Sequence, residues 1–377
     1  MTIYTVRAGD SLWGIARRFS TTVERLAALN SLSDPSRLVP GLALAIPTGS
    51  EGVGDERIVN AYAYPTLSAA DAAAQMESFS LFCPFSCHMT AEGALTELDD
   101  GALIAAAKEA GVAPLLTVTN IGEGGGFSSD IAHAVFSDSA VQDALFARIL
   151  ARIEEKGYRG VNFNIEYVYP FDREGYNAFL RRAAQLLHSR GRLLSTAIAP
   201  KESDEQGGIL YAAHDYAAHG ESADWVILMT YEWGYTYSAP QAVSPVNRIR
   251  RVLDYAVEQI PRQKILMGFS NYAYNWTLPW KEGQAARVLS NSAAANLAIS
   301  RGAEIRYDAA AAAPFFRYTD AEHIRHEVWF EDVRSAKARL ELVEEYGLGG
   351  ISYWTVNFPN PAMLLAQRES FAAAKLE

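Results

Sequence analysis

Apolar positions along this chain fall into two regimes. Over residues 3–47 they come in short, close-set groups. Ile3-Tyr4-Thr5-Val6 has the β-branched content of a strand. Gly9-Asp10-Ser11 is a turn running into a helix cap, with Asp10 or Ser11 supplying the capping oxygen. Leu12, Ile15, Ala16 and Phe19 then recur at helical spacing. Thr21 or Thr22 caps a second helix, with Val23, Leu26, Ala27 and Leu29 inward, and Asn30 stops it. Leu42–Ile46 is a closing strand ended by Pro47. The order is strand, helix, helix, strand, in a unit near the lower size limit for folding alone.

From Ile58 onward the rhythm changes to short apolar runs alternating with longer amphipathic stretches. Strands are expected at 59–64, 78–84, 115–120, 160–166, 193–199, 225–231, 265–270 and 350–355. Helices are expected between them, for example over 101–110, 140–156, 173–189, 245–259 and 332–346. Eight strands alternating with helices predict an α/β fold, a (β/α)8 TIM barrel. A doubly wound open sheet is the alternative, disfavoured because no GxGxxG follows the first strand. Residues 277–331 are long for a strand-to-helix connection. Glu304–Tyr307, Phe315–Tyr318 and Glu327–Phe330 within them predict a small antiparallel insertion after strand seven. The expected division is a small module over 1–48, a Gly-rich linker over 49–57, and the barrel over 58–377.

Charge narrows the partners. The chain carries a formal net charge of −11. Arg7, Arg17, Arg18, Arg25 and Arg37 outnumber the acids of the first 48 residues, so the acidity belongs to the barrel. An acidic barrel argues against nucleic acid or an anionic membrane as partner. Two cysteines, Cys83 and Cys87, build no disulfide framework and lack companions for a zinc site, so free thiols are expected. The N-terminus shows no signal-peptide pattern and no window is apolar enough to span a membrane. No metal or cofactor is expected, and a monomer is.

Barrel enzymes place their chemistry at the C-terminal ends of the strands. There the fourth strand, Gly160-Val161-Asn162-Phe163-Asn164-Ile165-Glu166, stands out. Alternation sends Val161, Phe163 and Ile165 toward the outer helices and Asn162, Asn164 and Glu166 into the barrel. Three inward polar groups are costly unless bonded to each other or to a ligand. The bland alternative is a solvated strand face, which a barrel covered on both sides disfavours. Glycosidases ordinarily use two carboxylates, whereas this strand offers one carboxylate and two amides. One suffices if the substrate brings its own nucleophile, as the carbonyl oxygen of a 2-acetamido sugar does. No G-x-S-x-G elbow is present, and the histidines show no triad or metal spacing.

Two resemblances sharpen this reading. YTVRAGDSLWGIARRF, TVERLAALN and LVPGLALAIP resemble the LysM module, which implies binding to N-acetylglucosamine-containing glycans. The implied groove has Gly9, Asp10, Ser11 and Leu12 on one side and Asn30, Ser31 and Leu32 on the other. Turn and cap duties explain most of these residues without a ligand. GVNFNIEYV resembles the fourth-strand motif DGxDxDxE of family 18 glycoside hydrolases, which implies Glu166 as general acid, with Asn164 and Asn162 at the two preceding aspartates. Tyr231, in Met229-Thr230-Tyr231-Glu232, matches the tyrosine that bonds the acetamide carbonyl, and Glu232 either binds the same sugar or pairs with an arginine. Trp354 matches the floor of the −1 subsite. Asn271, Tyr272, Tyr274 and Trp276 form an aromatic run suited either to a glycan cleft or to packing the insertion.

The combination resembles the spore cortex-lytic branch, which implies a retaining, substrate-assisted N-acetylglucosaminidase on peptidoglycan. The enzyme would then be made in the cytoplasm and deposited on the spore. Chitin hydrolysis, or glycan binding without turnover, are the alternatives. Asparagine at 164 keeps the acceptor oxygen but removes like-charge pressure on Glu166. Glu166 is then protonated mainly through desolvation, and a more acidic optimum than that of the Asp-containing members is expected.

Overall fold

The computed structural model describes residues 1–48 and 54–376. In the small module, strand Thr2–Thr5 pairs antiparallel with Ala43–Ile46, and helices Leu12–Arg18 and Val23–Leu29 lie between them. Ser11, rather than Asp10, is the first cap: its Oγ accepts from Gly14 N–H at 3.1 Å. Thr22 caps the second helix through Arg25 N–H at 3.1 Å. Each bond satisfies an N–H that the first turn leaves unpaired. Asn30 ends the second helix and does more. Its Nδ2 donates to Leu26 O and Ala45 O, and its Oδ1 accepts from Ala45 N–H at 2.7 Å. One amide thus locks helix to closing strand.

Of the expected linker, residues 49–53 lie outside the described residues. Glu56 and Arg57 belong to the first barrel strand, Glu56–Ala63, where they pair with Ala372 and Ala373. Seven further parallel strands follow: Leu81–Pro84, Ala113–Thr119, Gly160–Asn164, Leu193–Ile198, Trp225–Leu228, Ile265–Ser270 and Gly350–Trp354. The last pairs with the first, Gly350 opposite Ile58, so the sheet closes into a barrel and the open-sheet alternative falls. Strand four obeys the expected alternation. Val161, Phe163 and Ile165 are fully buried in the layer between strands and helices, where the Phe163 ring meets Phe179 edge-on at 5.1 Å. Burying one such side chain contributes about 1.5–3 kcal/mol. Asn162 points inward and is also fully buried, so that face is not solvated.

The insertion is larger than three strands. It is a five-stranded antiparallel sheet of Ala273–Leu278, Arg287–Leu289, Arg306–Asp308, Ala313–Thr319 and Arg325–Trp329, with helix Asn291–Arg301. It starts directly after barrel strand seven, so Tyr274 and Trp276 belong to it. The small module docks on this insertion through a shared apolar core, in which Leu26, Leu42 and Leu44 pack with Ala298, Ile299 and Phe316. Gly41 permits the closest approach. Its φ is +84°, and an added Cβ would lie 1.8 Å from Ile305 O. Asn296 of the insertion helix donates to Ser31 O at 2.8 Å and accepts from Ser33 N–H at 2.9 Å. Among the described residues no helix is long and apolar enough to cross a membrane.

Candidate active site

A cleft of ≈ 350 Å³ opens at the C-terminal end of the barrel, with Glu166, Asn164, Tyr231, Glu232 and Trp354 in its wall. Glu166 follows strand four and is partly covered, its carboxyl turned into a cleft of largely apolar lining. Loss of hydration pushes that carboxyl up to about 7, a hydrogen bond with Asn164 opposes the lift, and Glu232 adds a smaller upward push. The backbone at Glu166 is bracketed by an unanticipated residue. Asn120, at the end of strand three, donates from Nδ2 to Glu166 O at 2.7 Å and accepts at Oδ1 from Glu166 N–H at 3.0 Å. His214 reinforces it, with Nδ1 accepting from Ala199 N–H and Nε2 donating to Ile165 O, both at 3.0 Å. Burial lowers His214 to about 4, so the ring stays neutral and keeps this tautomer near neutral pH. A strand-ending Asn at position 120 was a readable signal for such a role. His214 lies in a long loop and gave none.

The two asparagines of the motif part company. Asn164 is 4% exposed and lines the cleft, and its Oδ1 is buried without a donor among the described residues. Asn162, expected to touch substrate, lies beneath the cleft instead. Its Oδ1 accepts from Tyr62 Oη and its Nδ2 donates to Ser195 Oγ, both at 2.8 Å. Its amide is consumed in holding three barrel strands together.

Tyr231 follows strand six and is 8% exposed. Burial, then the nearby Glu166 and Glu232, push its hydroxyl far above the usual tyrosine range, so it remains a neutral donor. Its ring fits because position 268 is glycine. A Cβ there would lie 2.8 Å from Tyr231 Cε1 and 2.5 Å from Leu228 O. Glu232 pairs with tyrosines rather than an arginine, accepting from Tyr272 Oη and, at 3.0 Å, from Tyr274 Oη. Burial raises its carboxyl while both hydroxyls oppose the lift. The residues directly after the two motif side chains, Tyr167 (φ +55°) and Glu232 (φ +67°), both sit in left-handed backbone. Such strain in non-glycine residues gathers at functional sites.

Trp354, at the end of strand eight, is partly exposed. Phe85, Tyr62 and Tyr64 pack edge-on against it at 4.7, 5.3 and 5.8 Å. Asn271 and Tyr272, expected to bind substrate, support the wall from behind. Asn271 Nδ2 donates to Thr355 O and Phe358 O, while the Tyr272 hydroxyl donates to the Glu232 carboxylate. Trp276 is buried and donates to Ser238 O, so the aromatic run packs the insertion except where Tyr272 and Tyr274 hold Glu232. Tyr64, Phe85, Phe127, Tyr211 and Met229 line the cleft as well. Tyr64 and Phe85 stand at strand ends and were findable by position. Phe127 and Tyr211 come from irregular loops.

In the small module most of the expected groove is scaffold. Leu12 and Leu32 are buried core. Asp10 accepts from Arg7 N–H and Tyr4 Oη, which hold its carboxyl below the usual range. Ser11 caps, Asn30 locks the closing strand, and Ser31 O is taken by Asn296. Gly9 is exposed, and a Cβ added there would meet nothing within 4 Å beyond its chain neighbours. Trp13, which sequence reasoning left out, stands beside that loop at 63% exposed, with the Arg17 guanidinium 5.6 Å from its ring centre. Cys83 and Cys87 are free and buried, and no group of three metal-ligating side chains occurs among the described residues.

Comparison with known proteins places this geometry. The model for glycosyl hydrolases family 18 matches residues 106–358, and the LysM domain model matches residues 4–47. The cortical fragment-lytic enzyme of Bacillus subtilis (strain 168) is 40% identical over 428 aligned positions, covering 100% of this chain and 99% of that protein. The crystal structure of the Bacillus cereus spore cortex-lytic enzyme SleL superposes with a TM-score of 0.83 at 37% identity, covering 99% of this chain and 87% of that one. A chitinase from Chromobacterium violaceum superposes with a TM-score of 0.77 at 28% identity, over 83% of this chain and 98% of that one.

Proposed function

Because the chain belongs to the family 18 glycosyl hydrolases and joins a LysM domain to that barrel, we propose that this glycosidase cleaves N-acetylglucosamine-containing peptidoglycan of the spore cortex. The substrate is taken from the names of the cortical fragment-lytic and cortex-lytic relatives. One observation carries the chemistry. A carboxyl held up to about 7 by its surroundings shares the cleft with Asn164, whose Oδ1 is buried and unpartnered.

Glu166 protonates the glycosidic oxygen as that bond breaks. The substrate's acetamide oxygen attacks the anomeric carbon from the opposite face and forms an oxazolinium ion. Asn164 Oδ1 accepts the acetamide N–H, and the neutral Tyr231 hydroxyl donates to the acetamide oxygen, so the nucleophile is already aimed. Trp354 supports the sugar face by stacking. The Glu166 carboxylate then takes a proton from water, which attacks the anomeric carbon from the leaving-group side as the bond from that carbon to the acetamide oxygen breaks and the acetamide is restored. Configuration is retained, and Glu166 is protonated again. Glu232, clamped by two tyrosine hydroxyls, hydrogen-bonds the bound sugar. The LysM face near Gly9, Asp10 and Ser11 holds the glycan during this cycle.

Reducing-end release from purified sacculi tests the reading. Release by the native chain that equals release by Glu166→Gln would overturn it. Mass spectrometry of products from cortex-type peptidoglycan, vegetative peptidoglycan and chitin oligomers then assigns the substrate and the bond.

A further inference from the structure

A second polar cleft, of ≈ 320 Å³, lies on the insertion. Strand Ala273–Leu278 separates it from the active cleft, because alternation sends Tyr274 to Glu232 while Asn275 and Thr277 line the second cleft. Its wall is ordered by stacking. Tyr318 and His326 face each other across paired strands, ring centres 4.7 Å apart and 10° from parallel. The Arg301 guanidinium sits 5.5 Å from the centre of the Tyr318 ring.

Two acceptors in this wall have no donor among the described residues. Asn275 is 8% exposed; its Nδ2 donates to Tyr318 Oη at 2.9 Å, and its Oδ1 is buried and unpartnered. His326 Nε2 is hydrogen-bonded to Asp320 Oδ2 at 3.0 Å; in the tautomer that carries the proton on Nε2 its Nδ1 is an acceptor, and Nδ1 is also buried and unpartnered. Buried acceptors left unpaired are costly and ask for N–H or O–H donors. The same cleft presents two guanidiniums, Arg287 and Arg301. The neighbouring ion pair Arg317–Glu327 and the hydrogen-bonded pair His326–Asp320 do not involve them. Asp320 is occupied by His326 and by the N–H groups of Glu322 and Ile324. Glu322, exposed in the same lining, disfavours a bare polyanion such as phosphate.

We propose that this cleft is a second ligand site for a carboxylate attached to an N-acylated group. Arg287 and Arg301 take the carboxylate, and Asn275 Oδ1 and His326 Nδ1 accept from its N–H or O–H donors. Two parts of peptidoglycan carry that chemistry: the lactyl carboxylate beside the acetamide of an N-acetylmuramic acid residue that bears no peptide stem, and the terminal carboxylate of an acylated peptide stem. Chitin carries neither. The proposal deepens the peptidoglycan reading, and the site would separate the two polymers where the acetamide chemistry of the active cleft does not.

Calorimetric titration of the full chain tests it, with N-acetylmuramic acid, an N-acetyl dipeptide with a free carboxylate, the same dipeptide amidated, and N-acetylglucosamine. Binding by at least one carboxylate probe is expected, weakened about tenfold or more in Arg287→Gln/Arg301→Gln and in Asn275→Leu. Which probe binds names the source. N-acetylglucosamine and the amidated dipeptide should be indifferent to these variants. No saturable binding of either carboxylate probe, or equal binding by native chain and variants, overturns the site. Hydrolysis of N-acetylglucosamine oligomers by the double variant is read separately, so a failed second site and a failed catalytic reading give different results.

Discussion

The end of barrel strand four and the expected groove of the LysM module were both read from motifs, yet the fold treats their polar groups differently. In the module, Asp10, Ser11 and Asn30 spend their side-chain oxygens on Tyr4, Gly14 and Ala45. In the barrel, Asn164 keeps a buried oxygen without a partner among the described residues, and Glu166 keeps a carboxyl above its usual range. Polar groups satisfied by the chain itself build scaffold. Polar groups held unsatisfied at a cost to folding mark a place prepared for something else. The two motif asparagines repeat the contrast within one strand, since both amide atoms of Asn162 are hydrogen-bonded and Asn164 Oδ1 has no donor among the described residues.

The sharpest way to break this contrast is to remove the proton donor. Glu166→Gln should lower turnover on sacculi by about 10³-fold, the scale of a positioned general acid, with no loss of melting temperature. A parallel loss of stability would mean Glu166 is scaffold. Tyr231→Phe should follow with about a 10²-fold loss in kcat, as for one donor to a developing charge. Asn162→Ala and Asn164→Ala should then diverge in opposite senses. The first strands Tyr62 Oη and Ser195 Oγ and should cost about 1–3 kcal/mol by denaturant unfolding. The second should leave stability nearly intact and cut kcat.

Acidity offers a finer probe. With its carboxyl lifted to about 7 from an ordinary 4.5, Glu166 is half protonated near pH 7, so activity should fall as pH rises through that region. The folded state binds this proton more tightly than the unfolded chain. The group's contribution to stability is therefore full below about 4.5 and is lost as pH rises to about 7. Asn164→Asp replaces a neutral neighbour by a like charge and should move the Glu166-governed limb upward by about 1 unit. An unmoved limb in the pH–rate profile would remove charge at position 164 from the account. The smallest effect is expected at the module surface. Trp13→Ala should weaken sacculus binding only a few-fold, about 1 kcal/mol, because one exposed ring contributes little alone. Unchanged pull-down would move the glycan face elsewhere.

Much of the scaffold was legible because its causes are local. Period-two and period-3.6 patterns located the barrel strands, and Ser11 and Thr22 announced their helices by chemistry. Glu166 was legible from strand alternation, whereas Tyr231 and Trp354 were legible through their resemblance to family 18 motifs; all three stand at strand ends that converge on one rim of the barrel. What stayed hidden depends on who meets whom across the chain. Nothing near Asn162 reveals that Tyr62 and Ser195 will claim it. Nothing near His214 reveals that it will brace Ile165. The insertion was underestimated because Tyr274 and Trp276 satisfy both a strand pattern and a cleft pattern, and only the partner strand Arg325–Trp329 decides between them.

The seam around Gly41 and Asn296 has a mechanical consequence. A module on a loose tether searches a sphere, and its grip on a polymer says little about where the barrel lands. A module fused to the insertion through a common core turns with the barrel as one rigid tool. Glycan held by the one is then offered to the other at a fixed offset and angle. Only strands of matching register benefit from the double hold, and the rest gain nothing from it. Gly41→Ala, which forces Ile305 away, would turn that gauge back into a leash.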